Sequence, residues 1–308
     1  MSRQKLGQHF LNNPAWQHRI LEKLPRAPND IWIEIGAGLG QMTRHLAQRQ
    51  NVAGFLGGRS FSSDKKGSEV GALAPEEMQP TASRKRTIAV ETDPLLAENL
   101  RAQISARPAE WPNVEIAEGD VLSLDLLALA RNAGLSETEK FRVYGNLPYY
   151  ITSPILHHLF QCADRIASIH VVIQLEVAQR VAAKPGTRDY GYLSVACQYY
   201  THPKIALKIP PGAFRPPPKV DSALVAMSLP GRYTTLGIRD DADFLRFVQT
   251  CFAHKRKTLR NNLLALAPDV SVRQTMADAG LPPTIRAEEL SLEKFAILWR
   301  QMRPNAPL

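Results

Sequence analysis

Between residues 31 and 174 the chain repeats one pattern: a short apolar run, a turn, then a stretch with helical spacing. The runs are IWIEIG (31–36), TIAVETD (87–93), NVEIAEGD (113–120), FRVYGN (141–146) and ASIHVVIQ (167–174). They are short, bounded by turn residues and mostly rich in β-branched side chains, so they read as strands. Strands alternating with helices predict a parallel sheet covered on both faces, an α/β fold. After the first run, GQMTRHLAQRQ sets Met42, Leu46 and Ala47 on one side of a helix. After the second, PLLAENLRAQI opens with proline at a favourable first helical position. Later, ALKIPPGAFRPPPKVDSALVAMSL predicts two strands joined by a proline-stiffened loop, an antiparallel addition at the sheet edge.

Past Pro230 the strand pattern stops. DADFLRFVQTCFAHKRKTLRNNLLAL, SVRQTMADAG and SLEKFAILWRQM all have helical spacing, which predicts a small α-helical domain over 232–308 after a larger one over 1–231. Residues 51–86 fit neither domain. They are rich in Gly, Ser, Pro and charge without periodicity, and read as a disordered insert. Their six basic residues stand against four acidic ones, which weakens a role for Lys65, Lys66, Arg84, Lys85 and Arg86 in holding nucleic acid.

The net charge of +9 and pI near 9.6 predict a surface that attracts a polyanion, nucleic acid first and an anionic membrane second. No apolar stretch approaches 18 residues, so no membrane span is expected. Cys162, Cys197 and Cys251 are odd in number and far apart, which argues against disulfides and zinc and for small buried apolar residues. The start, MSRQKLGQHFLNNPAW, lacks a signal-peptide apolar segment, so the expected location is the cytoplasm.

EIGAGLG places Gly36, Gly38 and Gly40 between a strand and a helix, where backbone can turn sharply and approach a ligand. The spacing is GxGxG, and dinucleotide enzymes share such turns. Glu91, at the end of the next strand, can accept the ribose hydroxyls of an adenosine ligand. It lies 55 positions after Gly36; removing the insert restores the spacing of about 20 expected of ribose-binding acids. Asp120 ends the third strand, where it can meet an adenine amino group or simply cap a helix. A surface carboxylate is the plainer reading of Glu91.

YGNLPYYITSP (144–154) follows the fourth strand. A purine amino group is a poor nucleophile because its lone pair is delocalised into the ring. Two acceptors holding its N–H protons, the Asn146 side-chain oxygen and the Leu147 carbonyl, favour a pyramidal nitrogen. Pro148 stiffens the turn and Tyr149 can stack on the base. A sulfonium methyl donor is already electrophilic and needs no metal, so alignment does most of the work.

In order, GQHFL, EIGAGLG, AVETD, EGDVL, GNLPYY, PPGAFRPPPKVDS and HKRKTLRNNL make the chain resemble the small-subunit rRNA adenine dimethyltransferase family over nearly its whole length except 51–86. The last two stretches separate it from macrolide-resistance rRNA methyltransferases. The resemblance implies a Rossmann-like class I methyltransferase sheet with S-adenosylmethionine as donor. It implies as substrate two adjacent adenosines in the 3′-terminal hairpin loop of small-subunit (16S) rRNA, each methylated twice at N6, in an assembling 30S particle. By motif position the donor is held at His9, Leu11, Gly36, Gly38, Glu91, Asp120 and Asn146, and the base at Asn146, Leu147, Pro148 and Tyr149. Phe214 is a second candidate stacking surface, with core packing as the plainer reading. The family usually has Asn where this chain has His9, which puts a side-chain contact there in question.

Cys251 to Leu264 reads as a helix carrying His254, Lys255, Arg256, Lys257 and Arg260, suited to RNA phosphates. A solvated helix face is the plain alternative. Nothing in the sequence demands an oligomer, so a monomer is expected. The competing function is a non-catalytic, methyltransferase-like ribosome-assembly or nucleic-acid-binding factor. Such a scaffold has no need of Gly36, Glu91, Asp120 and Asn146 together.

Overall fold

The computed structural model describes residues 9–26, 30–51 and 86–303. The expected insert lies almost wholly outside them, with Lys65, Lys66, Arg84 and Lys85. The chain forms two compact units, Gln17–Tyr144 and Met1–Trp16 with Gly145–Leu308.

In chain order the first elements are β1 (Phe10–Leu11), α1 (Pro14–Lys23), β2 (Trp32–Ile35), α2 (Gln41–Asn51), β3 (Thr87–Glu91) and α3 (Pro94–Ala106). Then come β4 (Val114–Glu118), α4 (Leu126–Asn132), β5 (Phe141–Asn146), α5 (Thr152–Phe160), β6 (Ile166–Gln174), α6 (Leu175–Val181) and α7 (Tyr192–Tyr200). The remainder are β7 (His202–Ile209), β8 (Phe214–Arg215), β9 (Ser222–Ser228), α8 (Asp241–Cys251), α9 (Leu259–Leu263), α10 (Asp269–Asp278) and α11 (Leu292–Met302). The five strands read from the repeated pattern are β2 to β6.

In the unit 17–144, β3 runs parallel between β2 and β4, pairing Trp32 with Thr87 and Thr87 with Val114. Every residue of β2 and β3 is buried, as expected of strands covered on both faces. Arg142 N donates to Ile31 O at 2.8 Å, which lays the start of β5 along β2. The Asp93 side chain caps α3 by accepting from Leu95 N, and Pro94 follows at the first helical position. Ala37, Ala47, Ala89, Leu100, Trp111 and Val114 form one core cluster. Gly40 belongs against it for a steric reason. It sits at φ +80°, and a Cβ there would lie 2.7 Å from the Trp111 ring.

In the other unit, β9 pairs antiparallel with β6 (Ser168 opposite Ser228) and with β7 (Ile209 opposite Ser222), as the proline-rich segment predicted. The end of β5 follows β6, with Leu147 N donating to Val172 O at 3.0 Å. A separate short pair joins β1 to β8, setting Leu11 opposite Phe214. From Arg232 to Arg303 the described residues form helices and short turns with no strand. Trp299 Nε1 donates to Asp243 at 2.8 Å and ties α11 to α8. Cys197 and Cys251 are buried, whereas Cys162 is only half-buried and departs from expectation. No helix among the described residues is long and apolar enough to cross a membrane.

Candidate functional site

The glycine turn after β2 has the backbone its sequence demands. Gly36, Gly38 and Gly40 lie at φ 75°, 57° and 80°, where a Cβ is disfavoured. Gly36 N and Ala37 N both donate to Val90 O, at 2.9 and 3.1 Å, so the turn is fastened to the end of β3. Glu91 completes the fastening. Its buried carboxylate accepts Gly38 N at 2.7 Å through one oxygen and Asp93 N at 2.9 Å through the other. Each oxygen keeps a second lone pair, so the carboxylate can still accept hydroxyl protons. Gly119 N donates to the Glu91 carbonyl at 2.9 Å, which brings the start of the Asp120 segment to the same strand end. Asp120 is exposed and one oxygen accepts Leu122 N at 3.0 Å, so the capping reading is realised. Its second oxygen is not used by that cap.

In β2, two residues before the turn, sits Glu34, a residue the sequence reading passed over. It is 2% exposed, and burial raises its carboxyl from the ordinary 4.5 to about 8, with the Glu91 charge adding to the shift. The Thr43 hydroxyl nearby opposes the shift only in part, since neither Thr43 Oγ1 nor Glu34 Oε2 reaches hydrogen-bond geometry with any group. The Tyr144 hydroxyl is likewise buried without a partner, and burial and the Glu34 charge push its pKa up. The acidic position in IWIEIG was visible as a charge inside an apolar run, the signal that could have flagged it.

The second constellation is built by the end of β5 and the N-terminal strand. Asn146 Nδ2 donates to the His9 carbonyl at 2.8 Å. That bond ties down the amide nitrogen and leaves the oxygen as the free end, an acceptor. Pro148 adopts φ −57° and begins the turn Tyr149–Ile151. Tyr149 shares a 2.7 Å hydrogen bond with Ser222 Oγ, and burial raises the phenol pKa while that bond opposes it. The His9 ring stacks on Tyr149 at 5.7 Å between centroids and meets the Pro216 carbonyl at 2.8 Å through Nδ1. The His9 side chain is therefore turned to protein groups, while its backbone serves Asn146. Leu147 and Leu11 are buried. Phe214 is 1% exposed, so its ring packs in the core, as the plainer reading held, and presents no stacking face in this structure.

The basic segment departs from its expected helix. α8 stops at Cys251 and α9 starts only after Thr258, whose hydroxyl caps it, so residues 252–258 form a loop. Asn262 decides this. Its side chain donates to Cys251 O at 2.7 Å and accepts His254 N at 3.1 Å, bonds that replace helical ones. Lys255, Arg256 and Lys257 are exposed on the loop, with Lys255 Nζ donating to Arg188 O at 3.1 Å. Arg260 is different. Its guanidinium is paired with Asp269 at 2.7 Å, and Asp269 also holds Arg273 at 2.8 Å.

The family model described as ribosomal RNA adenine dimethylase matches residues 1–53 and 72–301 of this chain. The chain belongs to that family. As an rRNA adenine dimethylase it is an enzyme, a methyltransferase. Curated relatives named ribosomal RNA small subunit methyltransferase A include one from Koribacter versatilis, 38% identical over 97% of this chain and 94% of its own length. Another, from Acidobacterium capsulatum, is 40% identical over 98% of this chain and 92% of its own. The crystal structure of a dimethyladenosine transferase from Plasmodium falciparum shares the fold at TM-score 0.68 and 20% identity, covering 94% of this chain and 96% of its own. That of the 23S rRNA methyltransferase ErmE does so at TM-score 0.59 and 23% identity, covering 95% of this chain and 99% of its own. The α/β fold expected from the strand pattern, and the class I methyltransferase sheet that the resemblance implied, are thus the fold of this dimethylase. The internal stretch that the family model leaves unmatched, 54–71, lies inside the segment read as an insert.

Proposed function

We propose that the chain transfers methyl groups from S-adenosylmethionine to N6 of two adjacent adenosines in the 3′-terminal hairpin loop of 16S rRNA, each twice, within an assembling 30S particle. The observation that carries this reading is the Asn146–His9 bond, which occupies the amide nitrogen and leaves the oxygen as an acceptor. A charged base in that place would be needed to deprotonate an alcohol or thiol; an uncharged acceptor suits an amine, whose proton leaves only after the methyl group arrives.

The residues present fit the donor. Glu91 keeps one free lone pair on each oxygen for ribose hydroxyls, Gly36 and Gly38 keep Cβ atoms away, and Asp120 retains an oxygen for an adenine amino group. When bound, S-adenosylmethionine supplies a methyl group already activated by sulfonium charge. The protein's part is then to hold N6. Asn146 Oδ1 and the Leu147 carbonyl accept hydrogen bonds from its N–H groups, two before the first transfer and one before the second. Pro148 stiffens the turn that follows them, and Tyr149 steadies the purine plane from a hydroxyl anchored on Ser222. We assign this chemistry to residues 1–231 and RNA docking to 232–308, where Lys255, Arg256 and Lys257 meet phosphates. In this reading the enzyme works as a cytoplasmic monomer.

Mass spectrometry of small-subunit rRNA nucleosides from cells with and without this gene tests the reading. Dimethyladenosine should disappear without the gene; unchanged levels would refute it.

A further inference from the structure

The turn Tyr149–Ile151 carries two tyrosines in opposite circumstances. Tyr149 is half-buried, its hydroxyl held by Ser222 and its ring beside His9. Tyr150, the next residue, is 64% exposed. Among the described residues it is the one aromatic among the exposed large hydrophobic side chains, and its ring and hydroxyl meet no partner there.

The backbone under Tyr150 is fixed. Ile151 N donates to Pro148 O at 3.2 Å, and Thr152 Oγ1 lies 3.3 Å from the same carbonyl. On the other side Leu147 N is bonded to Val172 O at 3.0 Å. A ring with two rotatable bonds on such a turn loses little freedom when it meets a flat partner. A lone exposed apolar side chain needs no explanation by itself. Tyr150 differs because it is next in sequence to the turn that holds the reacting amine in the function proposed above.

That function requires one of two neighbouring adenosines to leave its stack. Extrusion costs a few kcal/mol and strips one face of the base left behind. An aromatic side chain against that bare face restores stacking, and it does so for any base, since every base has a π face. Successive side chains of a 3₁₀ turn diverge by about 120°. Tyr150 therefore diverges from Tyr149 and does not share a base with it.

We infer that Tyr150 is the stacking platform for the adenosine adjacent to the one held at Asn146, and so sets the register in which the two neighbours are presented in turn. The inference rests on the substrate reading proposed above, and the experiment separates the two.

Affinity is measured by fluorescence anisotropy for hairpin RNAs with one target adenosine and either a normal or an abasic nucleotide on its 5′ or 3′ side. Wild type should lose about tenfold in affinity for one of the two abasic RNAs. Tyr150→Ala should bind the intact RNA as weakly as wild type binds that abasic one, and lose nothing further on it. Tyr150→Phe and Tyr150→Trp should behave as wild type. Calorimetry with S-adenosylmethionine checks that each variant is folded. If Tyr150→Ala weakened all RNAs equally, or none, the platform would be refuted. If wild type bound none of the hairpins, the substrate reading would fail and this inference with it.

Discussion

The Asn146 amide nitrogen is bonded to the His9 carbonyl at 2.8 Å. One backbone oxygen, just before the N-terminal strand, thereby decides which end of the side chain is free for chemistry. β1 has only two residues, yet β8 holds it in register, with Phe10 opposite Arg215 and Leu11 opposite Phe214. Shifting β1 by one residue would reverse its two side chains and offer Asn146 a different carbonyl.

Glu91 is predicted to matter twice. Its carboxylate fastens Gly38 and Asp93 and, in the proposed function, accepts the ribose hydroxyls. Glu91→Ala leaves the buried Gly38 N–H and the half-buried Asp93 N–H without partners, costing about 2–4 kcal/mol of stability. Calorimetry should also show donor binding weakened at least about tenfold, given the strength of bonds to charged acceptors. A variant that binds the donor as wild type does would remove Glu91 from the donor site.

Glu34 gives a pH dependence whose sign is fixed. Its folded-state value, about 8, lies above the ordinary 4.5. Below pH 4.5 the carboxyl is protonated in both states and its contribution to stability is fully present. As pH rises the unfolded chain ionises first, so stability is lost at about 1.4 kcal/mol per pH unit until the folded carboxyl ionises too. Glu34→Gln removes this loss. Thermal melts should show the variant gaining on wild type between pH 5 and 8 and holding a constant lead above; a difference independent of pH would contradict the assignment.

Gly40→Ala should destabilise the protein by about 2–4 kcal/mol, because the new methyl group meets Trp111 at 2.7 Å and the backbone sits at φ +80°. Chemical denaturation checks this, and a loss under about 0.5 kcal/mol would mean that the turn relaxes freely.

The basic loop and Arg260 should separate in salt titrations of RNA binding. Changing Lys255, Arg256 and Lys257 together to Ala should lower the slope of log affinity against log salt by about 2, roughly 0.7 per lost phosphate contact. Arg260→Ala should leave that slope nearly unchanged, because its guanidinium is already paired with Asp269. A wild-type slope in the triple variant would show that the loop does not meet phosphate.

The parallel strands were legible because burial on both faces forces continuous apolar runs; β5 and β3 were placed within two residues from FRVYGN and TIAVETD alone. The glycines, Glu91 and Asn146 could be read because each follows such a run, where a polar residue has no packing reason to be. What the pattern hid was long-range pairing. Lys-Arg-Lys has good helix propensity, and the bonds that end the helix come from the Asn262 side chain, seven residues past Lys255, and from the Thr258 cap. In the same way the His9–Asn146 bond joins residues 137 positions apart, and no local spacing announces it.

The account stands or falls on the Asn146 oxygen as an acceptor for the adenine amine. Single-turnover methylation of unmethylated small-subunit particles, comparing wild type with Asn146→Ala at saturating S-adenosylmethionine, measures this directly. The rate should fall by about 10²-fold or more while donor affinity changes only modestly. Transfer to adenine N6 at the wild-type rate by the alanine variant would contradict it.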